Sequence, residues 1–307
     1  METIRKIDIH AHSTAFPQYY PPFYWSTPEN PSRFISVQEL LPHYDNLNIE
    51  MGVLLPLVSS EGQSAPMTSE SCKFLADQHP DRFIWFCNVD PRVGANKKNF
   101  DLSFYLNHYK SLGAKGLGEL TSQFYADDPM IDNLFYHCAQ CDLPVTIHIS
   151  PEFGNGYGLV DELGLPRIEK MLKKHKDLKL IGHSQPFWAE ISGDLTLEKR
   201  NSYPTGKVTE GTLSRLMREY GNLYCDLSAG SGANAMMRDP EFAARFMEEF
   251  SDRILYGCDI CEKSNSHPYK FDAFLDQMRT DGMLSQETYY KFVRGNAIKL
   301  LKLQESN

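Results

Sequence analysis

Short apolar, β-branched runs recur along the chain, and between them apolar positions repeat at helical spacing. The runs are IRKIDIH ending at His10, MGVLLPLV ending near Val58, RFIWFCNV ending near Val89, AKGLGE ending at Glu119, LPVTIHI around His148, LKLIGH ending at His183, LYCDLS around Asp226 and RILYGCD ending at Asp259. Amphipathic stretches that include SVQELLPHYDNL, SESCKFLADQHP, PMIDNLFYHCAQC, LPRIEKMLKKHK, TEGTLSRLMREYG and DPEFAARFMEEF each precede a strand. This alternation predicts a parallel α/β architecture, and eight such strands predict a closed (β/α)8 TIM barrel. The terminal SQETYYKFVRGNAIKLLKL predicts one or two closing helices with a break at Gly295.

The 307 residues suit one barrel domain spanning 1–307, with no internal repeat. Two insertions stand out, near 13–35 and 184–208, both following a strand. In a barrel such loops lie on the C-terminal face, where active sites are built. The first carries Phe16, Tyr19, Tyr20, Phe23, Tyr24 and Trp25 among several prolines. These aromatics suit a pocket for a planar ligand, packing over the barrel mouth, or a homodimer contact. Trp25 and Trp188, in HSQPFW, are therefore candidate substrate-binding residues.

A net charge of −9 argues against nucleic acid or an anionic membrane surface as partner, because both need clustered Lys and Arg. No run of about 18 apolar residues suggests a transmembrane helix, and the start METIRKIDIH lacks a signal-peptide pattern. Seven cysteines fit a reducing cytoplasm better than a disulfide framework. The pairs Cys138/Cys141 and Cys258/Cys261 lie too far apart to form a compact zinc ribbon, and the first reads as helix-face packing. A small-molecule substrate is the partner that this composition favours.

His10 and His12 end the first strand as DIHAH, and residues two apart on a strand share a face, within reach of one metal ion. His148, His183 and Asp259 stand at the ends of other apolar strands, which a barrel converges. Buried there without partners they would be costly, and metal coordination satisfies them together. Histidines with carboxylates suit Zn²⁺ foremost, with Mn²⁺ or Fe²⁺ as alternatives, better than Ca²⁺. His43, His79, His108, His137 and His175 fall in helical patterns, and His267 reads as a loop turn beside Pro268.

At this point the chain resembles the amidohydrolase superfamily, particularly its group of metal-dependent hydrolases and decarboxylases. DIHAH is similar to the opening HxH, LPVTIHIS to the fifth-strand His motif, LKLIGHS to the sixth-strand His, RILYGCDI to the final Asp motif and GNAIKLL to the closing helix. The resemblance implies that His10, His12, His148 and Asp259 ligate a metal, with His183 catalytic or ligating a second ion. Glu119 stands where binuclear members carry a bridging carboxylate, so one or two ions are implied. The ending motif departs from the family at Cys258 and at Ile260-Cys261. Cys258 is expected to pack outside the lumen, and Cys261 to be structural.

The function so implied is a metal-dependent hydrolase acting on an amide, lactone or ester-like carbonyl, with Asp259 as base and His183 stabilising charge on the carbonyl oxygen. Decarboxylation of an aromatic or unsaturated acid uses the same ligands, and Arg200 or Arg92 would then anchor the carboxylate. A TatD-like phosphodiesterase is disfavoured by the acidic balance. A non-catalytic metal-binding barrel would need a coordinatively closed site.

Overall fold

The computed structural model describes residues 4–23, 25–61 and 67–304. Its strands are β1 (Lys6–Ala11), β2 (Ile49–Leu54), β3 (Phe83–Trp85), β4 (Leu117–Leu120), β5 (Val145–Ser150), β6 (Leu159–Val160), β7 (Leu180–His183), β8 (Leu223–Asp226) and β9 (Ile254–Leu255). All ladders are parallel, running β1-β2-β3 and β4-β5-β7-β8-β9, with the two-residue β6 beside β5. Backbone hydrogen bonds close both seams. Cys87 N donates to Gly116 O and Gly118 N to Cys87 O, each at 2.9 Å, and Ile9 N donates to Tyr256 O and Asp259 N to His10 O, also at 2.9 Å. Eight strands therefore form a closed TIM barrel, and β6 is an extra strand in the loop after β5.

The helices are α1 (Val37–Asn46), α2 (Ser69–Gln78), α3 (Ser103–Ser111), α4 (Pro129–Gln140), α5 (Pro166–Lys174), α6 (Gln185–Ala189), α7 (Thr212–Glu219), α8 (Ala229–Met237), α9 (Pro240–Glu249), α10 (His267–Thr280), α11 (Gln286–Tyr290) and α12 (Asn296–Leu301). Local chemistry explains several starts. Ser36 and Glu39 form a capping box on α1, and the Asp128 and Asp239 side chains accept the Met130 and Phe242 amides ahead of Pro129 and Pro240. Val37, Leu40 and Tyr44 then turn inward from α1, and Ile131, Leu134, Phe135 and Cys138 from α4.

One helix was not anticipated, and two local features differ from expectation. The glycine-containing AGSGANAMM is helical as α8, and an ideal Cβ on Gly232 would lie 2.7 Å from the Leu227 carbonyl carbon, so glycine permits that close approach. The terminal helix does not break at Gly295. That residue is right-handed (φ −58°) and ends a π-helical turn, Lys291–Gly295, that joins α11 to α12. His267 is not in a loop turn but opens α10, with Nε2 2.6 Å from Cys258 O.

Ile7, Ile9, Val53, Leu55, Phe86, Ile181 and Leu255 form one apolar cluster with Ala297, Leu300 and Leu301 of α12. Strands that are not neighbours in the ring meet here, which places the cluster in the lumen. A larger core lies between the strands and the outer helices. Above the lumen cluster, the strand ends carry the polar side chains. Among the described residues no helix is long and apolar enough to cross a membrane.

Candidate metal centre

The β1–β2 register shifts between Asp8 and Ala11. Such an irregularity lets a strand change the face it presents. Ile7 and Ile9 belong to the lumen cluster and Asp8 reaches out to α1, yet His10 and His12 meet at the barrel mouth with Nε2 atoms 3.0 Å apart. Their other nitrogens are committed. His10 Nδ1 lies 2.6 Å from Asp226 Oδ2, and His12 Nδ1 lies 3.0 Å from Leu55 O. A carboxylate and a carbonyl only accept, so in their neutral form, the one that binds a metal, both rings carry the proton on Nδ1 and turn a lone pair inward from Nε2.

Around these lone pairs stand more acceptors. Glu119 Oε2 is 3.6 Å from His10 Nε2 and 3.3 Å from His12 Nε2, while Asp259 Oδ1 is 3.7 and 3.8 Å from the same atoms. Four electron-pair donors facing one another without a proton between them repel, unless a cation joins them. Spacings of this size fit ligands about 2.1 Å from one ion. Glu119 Oε1 is also buried without a hydrogen-bond partner. Two donor sets emerge, His10/His12/Asp259 and His10/Glu119/His183. The residues fit a divalent metal on the chemistry of these donors.

The electrostatics agree. Burial pushes the His10 pKa down, but the Asp259 and Asp226 carboxylates outweigh it and hold the ring well above its ordinary range. Burial likewise raises Glu119, but the facing His10 and His12 rings bring it well below the usual carboxylate range. A positive charge in this cluster is thus stabilised from both sides. His183 presents Nε2 3.8 Å from Asp259 Oδ2, and its Nδ1 is held by Ser228 Oγ at 3.0 Å beside Asp226 Oδ2 at 3.4 Å.

The structure thus brings His10, His12, Glu119, His183 and Asp259 together. His148 lies at the rim of this group, outside both donor sets. Its ring centroid is 5.7 Å from that of His183 and 4.3 Å from that of Tyr157, Nδ1 is buried without a partner, and burial pushes its pKa down to about 4. Trp25 is 41% exposed and stacks on Phe23 at 4.3 Å; Phe23 meets Phe34, whose centroid is 6.4 Å from that of His12. Tyr24, the neighbouring aromatic, lies outside the described residues.

Two expectations require correction. Trp188 is no pocket wall: it is buried against Phe187 and Phe246, and Nε1 donates to Asp226 O at 2.9 Å. Arg200 is not free to anchor a substrate carboxylate. It is 1% exposed, pairs with the buried Glu190 at 3.2 Å and donates to Asp161 O at 2.5 Å. Arg92 is likewise committed, to Asp90 at 2.6 Å and Glu61 at 3.0 Å. Cys258 packs behind β9 with Sγ 3.6 Å from Tyr256 Oη, and Cys261 joins the aromatic cluster of Phe23 and Phe34.

Sequence reasoning gave no role to Asp226 and Ser228, which orient two of the rings. The available signal was the acid itself, ending an apolar strand at the same level as His183.

A closed parallel barrel whose strand ends gather histidines and acids is a TIM-barrel protein with a candidate metal centre at its mouth. The sequence matches the model of the amidohydrolase family over residues 7–303, and the chain belongs to that family. No curated protein matches the sequence. Similar solved structures include a 2,6-dihydroxybenzoate decarboxylase from Rhizobium (16% identity, TM-score 0.60, covering 98% of this chain and 99% of that one). A probable 2-pyrone-4,6-dicarboxylic acid hydrolase from Acinetobacter baumannii is also similar (12%, TM-score 0.58, 97% and 100%). So is a dihydroxybenzoic acid decarboxylase from a Polaromonas species with bound manganese (17%, TM-score 0.61, 99% and 98%). At these identities the likeness shows the shared fold.

Proposed function

We propose that this protein is a single-metal hydrolase acting on an amide, lactone or ester-like carbonyl of a small, uncharged molecule. The observation that carries this reading is the position of Asp259. Its side chain is 21% exposed where that of Glu119 is 4% exposed, so it is the acid of the cluster open to the mouth. One of its oxygens faces the two Nε2 lone pairs and the other faces His183.

His10, His12, Glu119 and Asp259 would hold the ion, and His10 decides the number. It belongs to both donor sets, and with Nδ1 engaged by Asp226 it has one lone pair to give. Both sets therefore describe one site. Zn²⁺, Mn²⁺ and Fe²⁺ suit these ligands. When bound, such an ion supplies Lewis acidity that polarises a carbonyl and makes water acidic near neutral pH.

The chain supplies the rest. Asp259 accepts the proton of the attacking water and returns it to the leaving group. His183, held at Nδ1 by Ser228 beside Asp226, turns Nε2 toward the developing oxyanion and stabilises its charge. Both arginines proposed as carboxylate anchors are already paired with acids, which favours a neutral substrate. Seven free thiols support a cytoplasmic setting.

The decarboxylase reading keeps the same ligands and is favoured by the flat surfaces of Trp25 and Tyr157 near the mouth. One experiment separates the two. Metal-loaded protein is offered lactones, amides and esters in one panel and hydroxybenzoic acids in another, with ring opening or cleavage and CO₂ release followed separately. Hydrolysis without CO₂ supports the proposal; CO₂ release without hydrolysis replaces it with the decarboxylase.

A further inference from the structure

Asp8 has no part in the chemistry above, yet it is fully buried and both of its oxygens are engaged. Oδ1 accepts the backbone N–H of His10 at 3.0 Å and that of Cys258 at 2.8 Å, and Oδ2 accepts the Tyr44 hydroxyl at 2.7 Å. The two amides are significant by position. One belongs to a candidate metal ligand, and the other immediately precedes Asp259, a ligand from the opposite side of the barrel seam.

The ladder explains why a side chain is needed here. The β1–β2 register is interrupted between Asp8 and Ala11, and β9 ends at Leu255, three residues short of Cys258. Regular strand pairing thins where the polar side chains begin, and a buried amide without a partner is costly. The Asp8 carboxylate takes both amides and ties the end of β1 to the segment after β9. Tyr44 then fixes the carboxylate from α1. Its phenol passes over β2 at Gly52, where an ideal Cβ would lie 2.1 Å from the hydroxyl oxygen, so a side chain at position 52 would displace it.

We infer that Asp8 is a positioning residue of the metal centre: it holds the backbone from which His10 and Asp259 project, with Tyr44 as its lock and Gly52 as the gap the lock passes through. The inference rests on the reading of His10 and Asp259 as ligands of one ion. A carboxylate whose only task was to fill space would not be matched so closely to these two amides, and an apolar side chain would fill the same volume without burying an acid.

The test uses the full chain and measures Zn²⁺ affinity by chelator competition and the visible absorption of the Co²⁺-substituted protein, which reports ligand geometry. Asp8→Ala is expected to weaken Zn²⁺ binding by about 10–100-fold, the range for groups that orient metal ligands, and to shift the Co²⁺ bands. Tyr44→Phe, which removes one hydroxyl, should move both readouts in the same direction by less. Asp8→Asn keeps an acceptor for the two amides and should restore affinity most of the way to the wild type.

Folded Asp8→Ala and Tyr44→Phe with wild-type affinity and an unshifted Co²⁺ spectrum would overturn the inference, even if both were less stable. Should Asp8→Ala not fold, Tyr44→Phe decides in the same way. A wild-type chain that binds neither Zn²⁺ nor Co²⁺ overturns the metal reading and this inference with it. Wild-type binding with unaffected variants overturns the inference alone.

Discussion

The two ends of the barrel are built from the same strands and do opposite work. Below the mouth, Ile7, Ile9, Val53, Ile181 and Leu255 fill the lumen and α12 adds Leu300 and Leu301. Past them stand His10, His12, Glu119, His183 and Asp259. On β1 the change from Ile9 to His10 takes a single residue and coincides with the register shift. The apolar end gains free energy by excluding water, while the polar end gathers lone pairs and carboxylates that repel unless something positive joins them. The first therefore holds the ring in the shape that the second requires. Substitutions at the two ends should separate function from stability in opposite directions.

The largest effect is expected at Asp259. Asp259→Asn removes the base and leaves His10, His12 and Glu119 in place, so turnover on an identified substrate should fall by at least about a thousandfold, about 4 kcal/mol of barrier. Metal content per chain should stay near the wild-type value, and the urea midpoint of the metal-free protein should be unchanged or higher, because one repelling carboxylate is gone. Full turnover would remove Asp259 from the mechanism.

Arg200 sharpens the contrast, because it lies in a loop of the C-terminal face and yet serves structure. Arg200→Ala leaves Glu190 buried, 2% exposed, without its cation. Breaking a buried pair in this way costs about 3 kcal/mol. Urea unfolding should show that loss while metal content per folded chain is kept. A soluble variant of wild-type stability would mean that the loop is not held by this pair.

The same contrast explains what could be read in the sequence. The eight strands were legible because each is an apolar run too short for a helix and followed by a helical pattern. His10, His12, His183 and Asp259 were legible as a group because their residue types are costly at buried strand ends; the same argument included His148, which stands at the rim, and Glu119 entered through the family resemblance. What was not legible depended on shape. Asp226 and Asp8 gain their roles from hydrogen bonds to residues far away in sequence, His10 Nδ1 in one case and the Cys258 amide in the other. Trp188 and Arg200 were misplaced because both lie after β7, where α6 turns one inward and the following loop buries the other. Gly295 looked like a helix end because glycine often is one, but here a π turn absorbs the extra residue and the chain continues.

The smallest effect tests the other end. Ile181 on β7 is fully buried among lumen residues from β1, β2 and β9. Ile181→Val removes one methylene from a close-packed layer, which costs about 1 kcal/mol through lost burial and the space left behind. His183 lies two residues further along the same strand, so a strand that transmitted small packing changes would carry this one to the metal. If the layers are independent, urea unfolding should register the loss while Zn²⁺ affinity and turnover stay within about twofold of wild type, a difference of about 0.4 kcal/mol. A larger change in affinity would show that the apolar layer sets the ligand geometry as well as the stability, and that the two ends of the barrel are one mechanical unit.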